Sequence, residues 1–92
     1  METKIVLITG ASTGIGLSAA EQLMNKGVKV YAASRRGGVA QKSLSGSGEI
    51  IHVKMDVNDE TTIASVIDRI LSENQRLDAV VSNAGNGIAG SV

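Results

Sequence analysis

The apolar run Ile5-Val6-Leu7-Ile8 leads directly into Thr9-Gly10-Ala11-Ser12-Thr13-Gly14-Ile15-Gly16, after which the apolar spacing turns helical. Four apolar residues without alternation describe a strand buried on both faces, as in a parallel sheet. Ile15, Ala19, Ala20, Leu23 and Met24 fall on one face of a helix predicted over residues 15–26, with Gly27 as its C-cap. Each glycine of the turn has a physical task in a phosphate site. Gly10 allows a sharp turn off the strand, Gly14 lets the backbone approach a pyrophosphate, and Gly16 lets the helix sit close to the sheet. The free N–H groups and positive end of the helix attract an anion, and Ser12 and Thr13 add hydroxyl donors. A tight strand-to-helix connection without a ligand is the alternative. The position of the turn, after the first strand and ahead of an amphipathic helix, favours phosphate.

The pattern then repeats. Val28, Val30, Tyr31, Ala32 and Ala33 predict a second strand, followed by a Gly- and Ser-rich stretch over 35–48 with room for one helical turn around Val39 to Leu44. Ile50, Ile51, Val53 and Met55 predict a third strand ending at Asp56. Asn58 is the expected N-cap of a second helix, whose Ile63, Val66, Ile67, Ile70 and Leu71 follow the spacing of a buried helical face. Leu77, Ala79, Val80 and Val81 predict a fourth strand, ended by Ser82-Asn83-Ala84-Gly85 and a short tail of small residues. The order β-α-β-(α)-β-α-β implies right-handed crossovers and a parallel sheet with helices on both faces.

Composition removes other classes. With 92 residues and no internal linker, one domain over 1–92 is expected, with a small core. The absence of cysteine excludes a disulfide framework or thiolate metal site and sets a reducing compartment as the default. No metal site is expected, and the single histidine, His52, is read as a structural or edge residue of the third strand. Nine basic residues balance nine acidic ones, and Tyr31 is the one aromatic, so neither charge nor stacking supports nucleic-acid binding. The apolar runs are far shorter than the roughly 20 residues a membrane span requires, and Met1-Glu2-Thr3-Lys4 does not open a signal peptide. A cytoplasmic chain is expected.

Three ordered motifs carry a resemblance. Thr9-Gly10-x-x-x-Gly14-Ile15-Gly16 is similar to the cofactor motif of the short-chain dehydrogenases/reductases, Asp56-Val57 to that family's adenine-contacting Asp, and Ser82-Asn83-Ala84-Gly85 to its N-N-A-G segment with Ser in place of the first Asn. The resemblance runs from Lys4 to Gly85. It implies an α/β, three-layer Rossmann-like parallel sheet of strand order 3-2-1-4, truncated relative to the family, with a nicotinamide dinucleotide in the crevice between strands one and four. It also implies that Asp56 accepts from the adenine amino group, that Asn83 steadies the sheet, and that the backbone at Ala84 and Gly85 lies against the cofactor. For Asp56 the alternative is a solvated strand end.

Ser34 ends the second strand 18 residues beyond Gly16, where a site that reads a ribose 2′-hydroxyl carries an acid. Here Ser34 is followed by Arg35 and Arg36. A carboxylate repels a 2′-phosphate, whereas a guanidinium binds it through charge-assisted bonds, so NADP(H) is expected over NAD(H). A solvated basic turn is the alternative for both arginines.

The resemblance also implies a catalytic Ser and a Tyr-x-x-x-Lys, and no residue of this chain is assigned those roles: Tyr31 has Arg35 four residues on and belongs to the second strand. The chain is thus expected to be the NADP(H)-binding portion of an oxidoreductase, catalytically incompetent alone. A stand-alone nucleotide-binding or regulatory module is the alternative, and a purely structural α/β domain a third. The fourth strand is expected to be a bare apolar edge that favours self-association or limits stability.

Overall fold

A computed structural model of the chain describes residues 3–10, 14–35, 48–82 and the backbone of 41–42. The elements in order are β1 (Ile5–Thr9), α1 (Gly14–Asn25), β2 (Lys29–Ser34), β3 (Gln41–Lys42), β4 (Glu49–Lys54), α2 (Glu60–Asn74) and β5 (Ala79–Val81). They form one sheet ordered β3-β4-β2-β1-β5. β1 pairs in parallel with β2 (Leu7 opposite Tyr31) and β5 (Leu7 opposite Val80), and β2 pairs in parallel with β4 (Ala32 opposite His52). The four long-range parallel strands therefore run third, second, first, fourth, the expected Rossmann-like α/β order.

The sheet carries a core on each face. Val6, Ile8, Val30, Ala32 and Ile50 pack against Ala20 and Met24 of α1. Ile5, Leu7, Tyr31, Ala33, Val53 and Met55 pack against Val66 and Ile70 of α2. Strand order reverses direction at β1, so right-handed crossovers send α1 and α2 to opposite faces and leave a crevice at the reversal. Because β1 and β2 are covered on both sides, their sequences are apolar almost throughout.

Local signals set the helix ends. Gly27 takes φ +89°; its amide donates to the Met24 carbonyl and the Val28 amide to the Leu23 carbonyl, both at 3.0 Å, the paired bonds of a Schellman motif. α2 begins one residue later than expected. Asp59, not Asn58, is the N-cap, its carboxylate accepting from the Thr61 amide. Asn58 is occupied otherwise, its amide bound to Asp56 Oδ1 at 2.9 Å in a turn that precedes the helix. Gln75 closes α2 in the left-handed region, its amide on the Leu71 carbonyl at 2.8 Å.

Further differences have physical causes. Within the stretch expected to form a helical turn, Gln41–Lys42 instead pairs antiparallel with Glu49 and Ile50; a Gly- and Ser-rich segment has little helix propensity, and the β4 edge offers unpaired backbone groups. Ile15 is 81% exposed rather than on the packed face, although Gly16 beside it is buried. Leu77 precedes the fourth strand, which spans only Ala79–Val81. His52 is half-buried on the α1 side of β4, its buried Nδ1 without a partner among the described residues. No helix among the described residues is long and apolar enough to cross a membrane.

Candidate functional site

Parallel strands place all their C-terminal ends at one edge of the sheet, and this edge gathers the residues singled out above. At the end of β1 the Gly10 amide donates to the Ala33 carbonyl at 2.8 Å, extending the β1–β2 ladder by one bond, and Gly10 then turns the chain with φ +67°. Gly14 opens α1 with φ +66°, and a Cβ placed there meets nothing within 4 Å. Glycine is thus required by the backbone, and the space beside it is open. Gly16 is buried in α1. The first turn of α1 contains no acidic residue, so the positive end of the helix is not neutralised from within it.

The ends of β2 and β4 are tied together. Met55 donates its amide to the Ser34 carbonyl at 2.8 Å, which brings buried Ser34 and exposed Arg35 alongside Asp56. Asp56 is held on several sides. Its amide donates to Thr62 Oγ1 at 3.0 Å, its carbonyl accepts from the Asp59 amide at 2.9 Å, and its Oδ1 accepts from the Asn58 amide. Oδ2 takes no hydrogen bond from a described residue and remains an acceptor at the crevice. Val57 follows as an exposed apolar residue.

Gly10, Gly14, Ile15, Gly16, Ser34, Arg35, Asp56 and Val57 therefore share one edge. Ser12, Thr13, Arg36, Asn83, Ala84 and Gly85 lie outside the described residues. Lys54, which drew no attention in the sequence, also stands at this edge, exposed and directly opposite Ser34 in the β2–β4 register. Its signal is tertiary, because only the register sets it beside Ser34.

Tyr31 is elsewhere. Its ring is buried beneath α2, its hydroxyl donates to Glu73 Oε1 and accepts from Asn74 Nδ2 at 2.9 Å, and Lys29 lies 5.5 Å above the ring. Burial first, and the bond to Glu73 second, push the phenol above its ordinary pKa. These partners belong to the C-terminal end of α2 and the start of β2, at the opposite edge of the sheet from Gly14 and Arg35.

Residues 4–92 match the short chain dehydrogenase family model. The chain is 35% identical over its whole length to a 3-ketodihydrosphingosine reductase from Bacteroides thetaiotaomicron, covering 32% of that protein. A menthone neomenthol reductase from Mentha piperita superposes with a TM-score of 0.78 at 29% identity, over 92% of this chain and 32% of the other. An NADH-dependent reductase complexed with NAD superposes with a TM-score of 0.74 at 21% identity, over 92% of this chain and 37% of the other, a likeness of fold. The chain thus spans about a third of the length of the curated relatives it matches. With three motifs in order, the 3-2-1-4 parallel sheet and a family match over almost every residue, the chain belongs to the short-chain dehydrogenase/reductase family of oxidoreductases.

Proposed function

We propose that this chain forms the NADP(H)-binding portion of a short-chain oxidoreductase, with the dinucleotide in the crevice at the C-terminal ends of β1, β2 and β4. One observation carries the cofactor choice: Arg35 emerges exposed from the end of β2, tied beside Asp56, where an NAD-selective site carries an acid. The open space at Gly14 and the first turn of α1 receive the pyrophosphate, with Ser12 and Thr13 as hydroxyl donors. Asp56 Oδ2 accepts from the adenine amino group, Ile15 and Val57 cover apolar surface of the ligand, and Ser34, Arg35 and Arg36 surround the ribose 2′-phosphate. Asn83, Ala84 and Gly85 continue the crevice beyond β5.

When bound, the nicotinamide supplies or accepts a hydride, and two relatives named as reductases point to a reductive reaction. The residues of this chain orient the dinucleotide. No residue of this chain is assigned the proton-donating role, and Tyr31, the single tyrosine, is buried beneath α2. Binding without turnover is the expected behaviour of the isolated chain. The location is read as cytoplasmic and residues 1–92 as one folding unit.

Arg35→Asp tests the cofactor reading. A carboxylate beside a 2′-phosphate is repulsive and beside a 2′-hydroxyl is an acceptor, so the affinity ratio of NADPH to NADH should fall by about tenfold or more, equivalent to at least about 1.4 kcal/mol. An unchanged ratio would reject the assignment.

A further inference from the structure

Three cations among the described residues are engaged by other side chains. Arg69 pairs with Glu73 and Arg76 with Asp78, and Lys29 donates to Asn74 Oδ1 at 2.9 Å; all three cations are away from the crevice. Lys4 and Lys26 are exposed and in no ion pair among the described residues, but Arg35 and Lys54 differ from all of these in place. Neither forms an ion pair among the described residues, and both stand exposed at the crevice edge of the sheet. Register sets them close: Lys54 lies opposite Ser34, the residue before Arg35, and adjacent strands are about 4.8 Å apart.

Strand alternation places Lys54 further. Ile50 packs in the α1-side core and Val53 in the α2-side core, so Lys54 is on the α1 side, the same side as Ser34, Ala32 and Val30. The nearest acid in sequence, Asp56, commits its Oδ1 to the Asn58 amide and forms no pair with Lys54. Two like charges one strand apart, in no ion pair among the described residues, repel each other. β2 ends at Ser34, so Arg35 is free of the strand alternation, and a dianion bound at the ends of β2 and β4 within reach of both cations would relieve that repulsion.

We propose that Lys54 is a second cation for the ribose 2′-phosphate and so a specificity-determining residue for NADP(H), acting from β4 as Arg35 acts from β2. The inference rests on the NADP(H) reading above. Arg35 supplies directional bonds from its guanidinium, and Lys54 a mobile point charge that neutralises the second charge of the phosphate. NADH lacks that phosphate, so its affinity is insensitive to Lys54.

The test is calorimetric titration of the full chain with NADPH and NADH at two salt concentrations, using wild type, Lys54→Ala, Lys54→Arg, Arg35→Ala and Lys26→Ala as a distant control. Since Lys54 is exposed, each variant's melting curve checks that the fold is kept. Lys54→Ala should weaken NADPH by about 3- to 10-fold and NADH by less than about 2-fold, as expected for a partly solvated charge pair. Lys54→Arg should restore NADPH affinity, and the salt dependence of NADPH binding should be shallower in Lys54→Ala. If Arg35→Ala selectively weakens NADPH while Lys54→Ala leaves the ratio unchanged, the role of Lys54 is rejected and the NADP(H) reading stands. If wild type binds NADH as tightly as NADPH, or binds neither, both are rejected.

Discussion

Ile5 and Asp78 hold each other by two hydrogen bonds: the Ile5 amide donates to Asp78 Oδ2 at 2.7 Å, and the Asp78 amide donates to the Ile5 carbonyl at 2.8 Å. This clasp starts the β1–β5 ladder and sets the register that continues as Val6 with Ala79. Arg76 adds a fork on the same carboxylate, with Nη2 at 2.7 Å from Oδ1. The guanidinium of Arg76 first, and the Ile5 amide second, hold the Asp78 carboxyl below the ordinary aspartate pKa.

A depressed folded-state pKa contributes stability above the unfolded-state value and loses it as pH falls through the folded one. Urea midpoints measured from neutral pH downward should therefore drop through and below the ordinary carboxylate range. Asp78→Asn should lower the neutral-pH midpoint and flatten that acid limb, because the amide keeps a carbonyl acceptor for Ile5 but not the charge. An acid limb as steep as that of wild type would contradict the role given to this carboxylate.

Two glycines should respond to alanine in opposite ways. A Cβ on Gly48 would lie 1.9 Å from the Met24 carbonyl oxygen, a backbone atom held by the Gly27 amide at the end of α1. Gly48→Ala should cost about 1–3 kcal/mol in denaturant unfolding, as overpacking does, with little direct effect on ligand binding. Gly14→Ala meets no neighbour and costs about 1–2 kcal/mol for its left-handed backbone. Its larger effect should be on NADPH affinity, since the added carbon occupies the space assigned to the pyrophosphate.

Tyr31→Phe separates the two edges of the sheet. Loss of the hydroxyl breaks its bonds to Glu73 and Asn74 and should cost about 0.5–1.5 kcal/mol, seen as a lower melting temperature. NADPH affinity should stay at the wild-type level. Because the phenol pKa is raised in the folded chain, stability should also fall as pH rises past the ordinary tyrosine value, and Tyr31→Phe should remove that alkaline loss.

β5 is the apolar edge anticipated from the sequence. Val80 is 56% exposed and Val81 42%, and its three residues carry no charge to discourage pairing. The isolated chain is accordingly expected to self-associate through this edge. Val80→Lys should shift sedimentation velocity profiles towards the monomer, and an unchanged distribution would place association elsewhere.

What could be read from the sequence is what local rules decide. Gly27 satisfied the helix C-cap rule and forms a Schellman motif; Val66 and Ile70 lie on the predicted face and are buried. Ile15 obeyed the same periodicity and is exposed, because periodicity does not reveal how far along α1 the packed face extends. Asn58 and Asp59 are both able to cap α2, and in the structure the helix starts after Asp59, whose carboxylate accepts from the Thr61 amide while Asn58 lies in the turn closed on Asp56. Gln41–Lys42 and Lys54 owe their positions to strand register, a long-range relationship that no short window contains. Of the candidate site, Gly10 and Gly14 were legible because a left-handed backbone calls for glycine, and Arg35 and Asp56 because each follows the end of an apolar strand.

The crevice at Gly14, Arg35 and Asp56 is the proposed site of NADP(H) binding. Calorimetric titration of the wild-type chain with NADPH, NADH and ATP measures it directly. Saturable binding of one NADPH per chain, tighter than NADH and tighter than ATP, is the predicted result. No saturable binding of either dinucleotide to the folded chain would contradict it.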